Sequence, residues 1–224
     1  MTALLVVVTI VVAVAVDVLV TKFRRRRSTA PVAAHVVPML EPRPPHGTFL
    51  GSAHSWVRIA TDGSLRVGID DFLAEALGEV DAVVPPHRGT QVDRGDALLT
   101  LHLKGRTLVL PAPAAGEVVA INEHVTAKPW LLTRDPYGVG WVVALWTRDH
   151  HEALKPLRIG GAALAFLRHE VQRLADFLTP VGAATAVPQF ADGGVPRRGA
   201  VAALDHARLE AFQREFLTET GEES

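Results

Sequence analysis

The chain has 224 residues, 48% of them hydrophobic but only 6% aromatic, with a formal charge of −1 and no cysteine. That length corresponds to one or two domains at roughly 150 residues each. The near-neutral charge argues against a general nucleic-acid binder, and the missing thiols exclude disulfides, cysteine-bound zinc, iron–sulfur clusters and a cysteine nucleophile.

Residues 3–21 read ALLVVVTIVVAVAVDVLVT, nineteen residues with a single charge, Asp17. A helix of that length spans about 28 Å, close to the hydrocarbon thickness of a bilayer. In lipid the backbone must satisfy its own hydrogen bonds, so helix wins despite the β-branched composition. Lys22 and Arg24 to Arg27 follow at once, and no Lys or Arg precedes the run. A cleaved signal peptide carries its positive charge before the apolar stretch. The order here predicts a single-pass anchor over 1–27, with the N-terminus outside and the rest cytoplasmic, as in a bacterial inner membrane. Asp17 lies one turn from the basic cluster, where it pairs or sits protonated among headgroups; a helix–helix contact is the alternative.

Residues 28–46 hold five prolines and little periodicity, which predicts a stiff, extended linker. From 47 to 155 the pattern becomes short strands and turns. Trp56 to Ala60 and Leu65 to Ile69 alternate around Asp62-Gly63, a hairpin. Asp70 is placed to cap a helix from Asp71 to Leu77 that ends at Gly78, which leaves Asp71 as a surface residue. Strands are expected over 79–84, 97–103, 107–110, 116–122 and 141–146, with turns at Val92–Asp96 and Lys104–Arg106. Many short strands punctuated by Gly and Pro predict a mainly β domain, a small sandwich or barrel.

Two amphipathic helices follow in a C-terminal extension, 156–224. The first, 158–178, shows a stripe of Ala163, Leu167, Val171, Leu174 and Leu178, with Glu170 and Arg173 off it. A connector over 179–200 has three prolines, and a second helix over 201–217 spaces Leu209, Phe212 and Phe216 by three and four. Both helices either pack on the β domain or dock on a partner. No metal site is expected: His150-His151-Glu152 and His169-Glu170 do not continue to a His-Glu-x-x-His spacing. Nucleophile elbows and phosphate-binding loops are also missing, so an enzyme is not indicated.

The middle segment resembles the glycine cleavage system H protein, a lipoyl-type barrel-sandwich domain. His54-Ser55-Trp56-Val57, Val67 to Phe72, Glu75 to Glu79, Gly95-Asp96, Gly116 to Val119, Asn122-Glu123 and Asp135 to Trp141 match the family in order, without an obvious gap. The resemblance implies a barrel-sandwich hybrid fold, buried Trp56 and Trp141, and an ordered turn at Asp135–Gly138. It also implies a hairpin whose tip carries a lipoyl-lysine, within Glu-Ser-Val-Lys-Ala, that ferries aminomethyl groups between partner enzymes.

This chain departs from the family at that tip. The ungapped frame puts Gly105 at the attachment position, Lys104 one residue early, and His102 where the family has its glutamate. Lys104 is the only lysine on the hairpin and the only candidate for lipoate. Otherwise Lys104 and Arg106 are solvated turn residues. Leu98, Leu99, Leu101, Leu103, Leu108, Val109 and Leu110 make the hairpin apolar enough for a core or a partner surface. Beyond residue 43 the chain carries 17 Lys and Arg against 22 Asp and Glu, so an anionic leaflet repels it while the arginine cluster is attracted.

The expectation is a membrane-anchored, non-lipoylated interaction or scaffold subunit without cofactor. Its partners are proteins of a membrane-associated assembly, not nucleic acid. The alternative is a carrier using lipoate on Lys104, with glycine cleavage enzymes as partners only in that case.

Overall fold

The computed structural model describes residues 39, 41–179 and 195–219. The apolar run 3–21, the basic cluster, most of the linker, the connector 180–194 and the last five residues lie outside the described residues. No helix among the described residues is long and apolar enough to cross a membrane.

Among the described residues ten strands form two sheets. They are β1 (Phe49–Leu50), β2 (Ser55–Ile59), β3 (Leu65–Ile69), β4 (Ala82–Val84), β5 (Gln91–Val92), β6 (Ala97–Leu103), β7 (Arg106–Pro111), β8 (Gly116–Ile121), β9 (Val143–Trp146) and β10 (Arg158–Ile159). The larger sheet has the order β10-β1-β2-β3-β9-β8-β5 and the smaller β4-β6-β7. All pairings are antiparallel, with Val57 opposite Val67 and Leu101 opposite Leu108.

The alternation read from sequence decides what is buried. Leu65, Val67 and Ile69 on β3 and Leu99, Leu101 and Leu103 on β6 all turn into the core. The indole of Trp56 lies flat against Gly68, where a Cβ would meet it at 2.8 Å, and donates from Nε1 to the carbonyl of Pro136 at 3.0 Å. Helix α1 (Asp71–Leu77) is capped by Asp70, whose Oδ1 accepts from the Leu73 amide at 2.8 Å. Helices α2 (Glu123–Ala127), α3 (Trp130–Arg134) and α4 (His150–Leu154) are single turns that periodicity does not reveal; Asn122 and Asp149 cap α2 and α4. The Asp135–Gly138 turn is ordered: the Asp135 carboxylate accepts from the amides of Gly138 and Val139.

Several expectations change. Strand β4 begins at Ala82 rather than Glu79, and β9 at Val143 rather than Trp141. Trp141 is only half-buried, with the Arg66 guanidinium 4.9 Å over its ring. Asp71 is no surface residue: it accepts from the Tyr137 hydroxyl at 2.8 Å and from the Arg43 amide. Burial and the Asp70 charge push its carboxyl above the ordinary range, and burial pushes the Tyr137 phenol up. The same Arg43 contact, with buried Pro42, seats the end of the linker on the domain.

The described parts of the segment 156–224 are built into the same core. Arg158–Ile159 is not helical; it forms β10 beside β1. Helix α5 (Gly161–Leu178) then buries Ala163, Leu167, Glu170, Leu174 and Leu178. The stripe thus runs through Glu170, not Val171, because three and four residues separate Leu167, Glu170 and Leu174. The second helix is shorter than its apolar pattern: a 3₁₀ turn (Val201–Ala203), then α6 (His206–Phe216) capped by Asp205. Phe212 and Phe216 stack at 4.8 Å, and Phe216 faces Phe72 and Phe177. Of the two fates open to these helices, the chain's own core takes both.

Candidate functional site: the β6–β7 hairpin

Strands β6 and β7 are joined by two residues, Lys104 and Gly105, with Leu103 opposite Arg106. Both turn residues have positive φ, 47° and 76°, the pattern of a type I′ turn whose twist matches the strands. Glycine adopts that conformation without penalty, whereas a lysine at αL costs on the order of 1–2 kcal/mol. Gly105, which the ungapped sequence frame sets against the family's attachment position, therefore serves the turn and has no side chain to form an amide.

Lys104 stands exposed at the tip. Its backbone amide donates to the Asp81 carboxylate, which reaches across from the approach to β4. On the other flank the Arg106 guanidinium donates to the carbonyls of Ala202, at 2.7 Å, and Leu204. Along the outer edge of β7, the Val109 amide donates to Gln213 Oε1 at 3.1 Å. Beyond the far end of the hairpin, Glu219 accepts from Arg94 at 2.8 Å and from Ser52 at 3.0 Å. Residues 201–219 thus form a strap along the hairpin, from tip to base. Arg106 is an anchor, not a solvated turn residue. The leucines resolve similarly: Leu98, Leu99, Leu101, Leu103, Leu108 and Leu110 are core, and Val109 is half-buried at the strapped edge.

A second constellation escapes a motif search. His54, fully buried, places Nδ1 2.9 Å from Asp70 Oδ2 and Nε2 3.3 Å from Glu170 Oε2. Its ring lies between Phe72 and Phe166, with centroids at 4.3 and 5.4 Å. Arg173 Nη1 donates to both oxygens of Glu170, at 2.7 and 2.8 Å. Burial disfavours the imidazolium, but the charges and hydrogen bonds of Asp70 and Glu170 outweigh it and lift His54 to about 9. Burial likewise opposes the Glu170 carboxylate, yet His54 and Arg173 hold its pKa below the ordinary value. The cluster ties the β1–β2 turn, the cap of α1 and helix α5 together. The stripe read from sequence runs through Val171 and leaves Glu170 off it, so the helical period gave no signal for this cluster.

Comparison with known proteins bears on the same segment. The family model described as the glycine cleavage H-protein matches residues 49–170. A glycine cleavage system H protein of Halorhodospira halophila is 37% identical over 99 residues, 44% of this chain and 76% of that protein. A probable glycine cleavage system H protein of Thermococcus kodakarensis is 33% identical over 122 residues, 54% of this chain and 90% of that protein. The crystal structure of a glycine cleavage system H protein from Mycobacterium marinum aligns with 56% of this chain and 99% of its own, at 28% identity and a TM-score of 0.49. By the family model's match over more than half of its residues and by its identity to the Halorhodospira and Thermococcus proteins, the chain belongs to the glycine cleavage H-protein family.

Proposed function

We propose that this chain is a non-lipoylated member of the H-protein family, tethered to the membrane by residues 3–21 and acting as an interaction or scaffold subunit. The carrying observation is the double clamp on the hairpin. Asp81 holds one flank of the tip and the strap holds the other through Arg106, while the attachment position is a glycine the turn requires. A carrier must hand its hairpin tip to a lipoylating enzyme and then to partner enzymes in turn. Here the chain's own C-terminal segment lies along that hairpin, so the residues do not fit lipoate in the family's manner.

One observation favours a second reading: Lys104 is exposed at the tip, and its amine is free to form an amide. In that reading the chain is a lipoyl carrier whose arm starts one residue early, with glycine cleavage enzymes as partners.

The tether is supported by the order of the apolar run and the basic cluster. Fractionation of the native host should place the chain with the membranes, resistant to salt wash and released by detergent. Protease added to intact cells should spare the domain, and breaking the cells should expose it. Recovery of the full-length chain in the soluble fraction, or its digestion from outside, would contradict the tether and its orientation respectively.

A further inference from the structure

Helices α2 and α3 and residues 139–141 enclose an open groove of about 390 Å³. Its walls include Trp130, Trp141, Leu131 and Val139, and its rim carries His124 and Lys128. Trp130 is 48% exposed and Val139 50%, so both present apolar surface to the groove. The groove is pre-formed rather than loose. The Asn122 side-chain amide donates to the carbonyls of Val139, at 2.9 Å, and Trp141, at 2.7 Å, fixing one wall.

Positive charge surrounds it. Arg134 sits 5.5 Å over the Trp130 ring and Arg66 4.9 Å over Trp141. Neither Lys128 nor Arg134 has an ion-pair partner among the described residues. Arg66 feels Asp62 only at longer range. Of the carboxylates in this segment, Asp135 is turned into the backbone amides of Gly138 and Val139 but keeps its charge, so Asp135 and Glu123 oppose Lys128, Arg134 and Arg66 and leave a cationic excess.

We propose that this groove docks an acidic segment of a partner protein, which places one aromatic or aliphatic side chain between the two indoles and its carboxylates against Lys128 and Arg134. Exposed tryptophan with flanking cations is the composition of an interface hot spot, and the uncovered charges select the sign of the partner. Single-stranded nucleic acid also combines stacking with cations. It is disfavoured because the groove is a single pocket rather than a track along which successive bases stack. The proposal rests on the reading of the chain as an interaction subunit and names the chemistry of its partner.

The test is fluorescence anisotropy with the full chain in mild detergent and a fluorescein-labelled Asp-Glu-Phe-Glu-Asp peptide at low salt. Saturable binding tighter than about 100 μM is expected. The exposed substitutions Lys128→Glu with Arg134→Glu should weaken it by at least about tenfold, as should Trp130→Ala. A Lys-Lys-Phe-Lys-Lys peptide should not bind. No saturable binding, equal binding by the charge-reversed variant, or preference for a ten-residue oligo-dT would overturn the proposal. Membrane fractionation and the mass of the chain read the tether and the lipoyl question separately, so a failure here is distinguishable from a failure of the broader reading.

Discussion

Replacing His54 by alanine is expected to destabilise the folded chain by about 3–5 kcal/mol, the cost of breaking a buried ion pair by removing one partner. The Asp70 and Glu170 carboxylates, both buried, would lose the imidazole between them, and Phe72 and Phe166 would face a cavity. A native domain holds only about 5–15 kcal/mol in total, so urea denaturation should show a large fall in midpoint. A loss under about 1 kcal/mol would mean that the cluster does not tie helix α5 to the β domain.

The same residue sets a pH window. His54 is raised from 6.5 to about 9 in the folded state, so its stabilisation is complete below pH 6.5 and is lost as the pH rises through about 9. On the acid side Glu170 has a depressed pKa. Its contribution is present above its ordinary value of 4.5 and is lost as the pH falls through the folded value. Stability of the native chain should therefore decline between pH 6.5 and 9, and the alanine variant should lack that decline.

The second large effect contrasts two neighbours on the hairpin. Leu101→Asp puts an unpaired carboxylate into a fully buried layer opposite Leu108, at a cost of several kcal/mol, and should prevent folding or leave it marginal. Lys104→Ala, three residues on at an exposed turn, should change stability by less than about 0.5 kcal/mol, as surface substitutions do. It should also leave the interaction function intact. Thermal denaturation of the two variants beside the native chain checks the first pair of values. If Lys104→Ala abolished function while the protein stayed folded, the side chain itself would be doing chemistry at the tip.

The β domain was legible because its signals are local. Alternation in Leu65–Ile69 and Ala97–Leu103, the cap at Asp70 and the turn residues around Gly63 and Gly105 each specify their own few residues, and the structure follows them. What was not legible depends on distant partners. Two-residue β10 exists because β1 offers it an edge, and no pattern of two residues announces that. Glu170 reads as a solvated residue until His54, 116 positions earlier, is placed beside it. Arg106 reads as a turn cation until the carbonyls of Ala202 and Leu204 arrive from the other end of the chain. At the site itself, the sequence frame located the hairpin tip and the displaced lysine, whereas the strap that occupies the hairpin's edge was visible only in three dimensions.

On the proposed reading, this hairpin serves the chain's own strap and carries no lipoyl arm. Intact-mass spectrometry of the full chain purified from its native host, with peptide mapping across Lys104, tests it most directly. An unmodified lysine is expected, and a chain with no thiol group after reduction, since the sequence has no cysteine. A lipoyl increment on Lys104 would contradict it and make the chain a carrier.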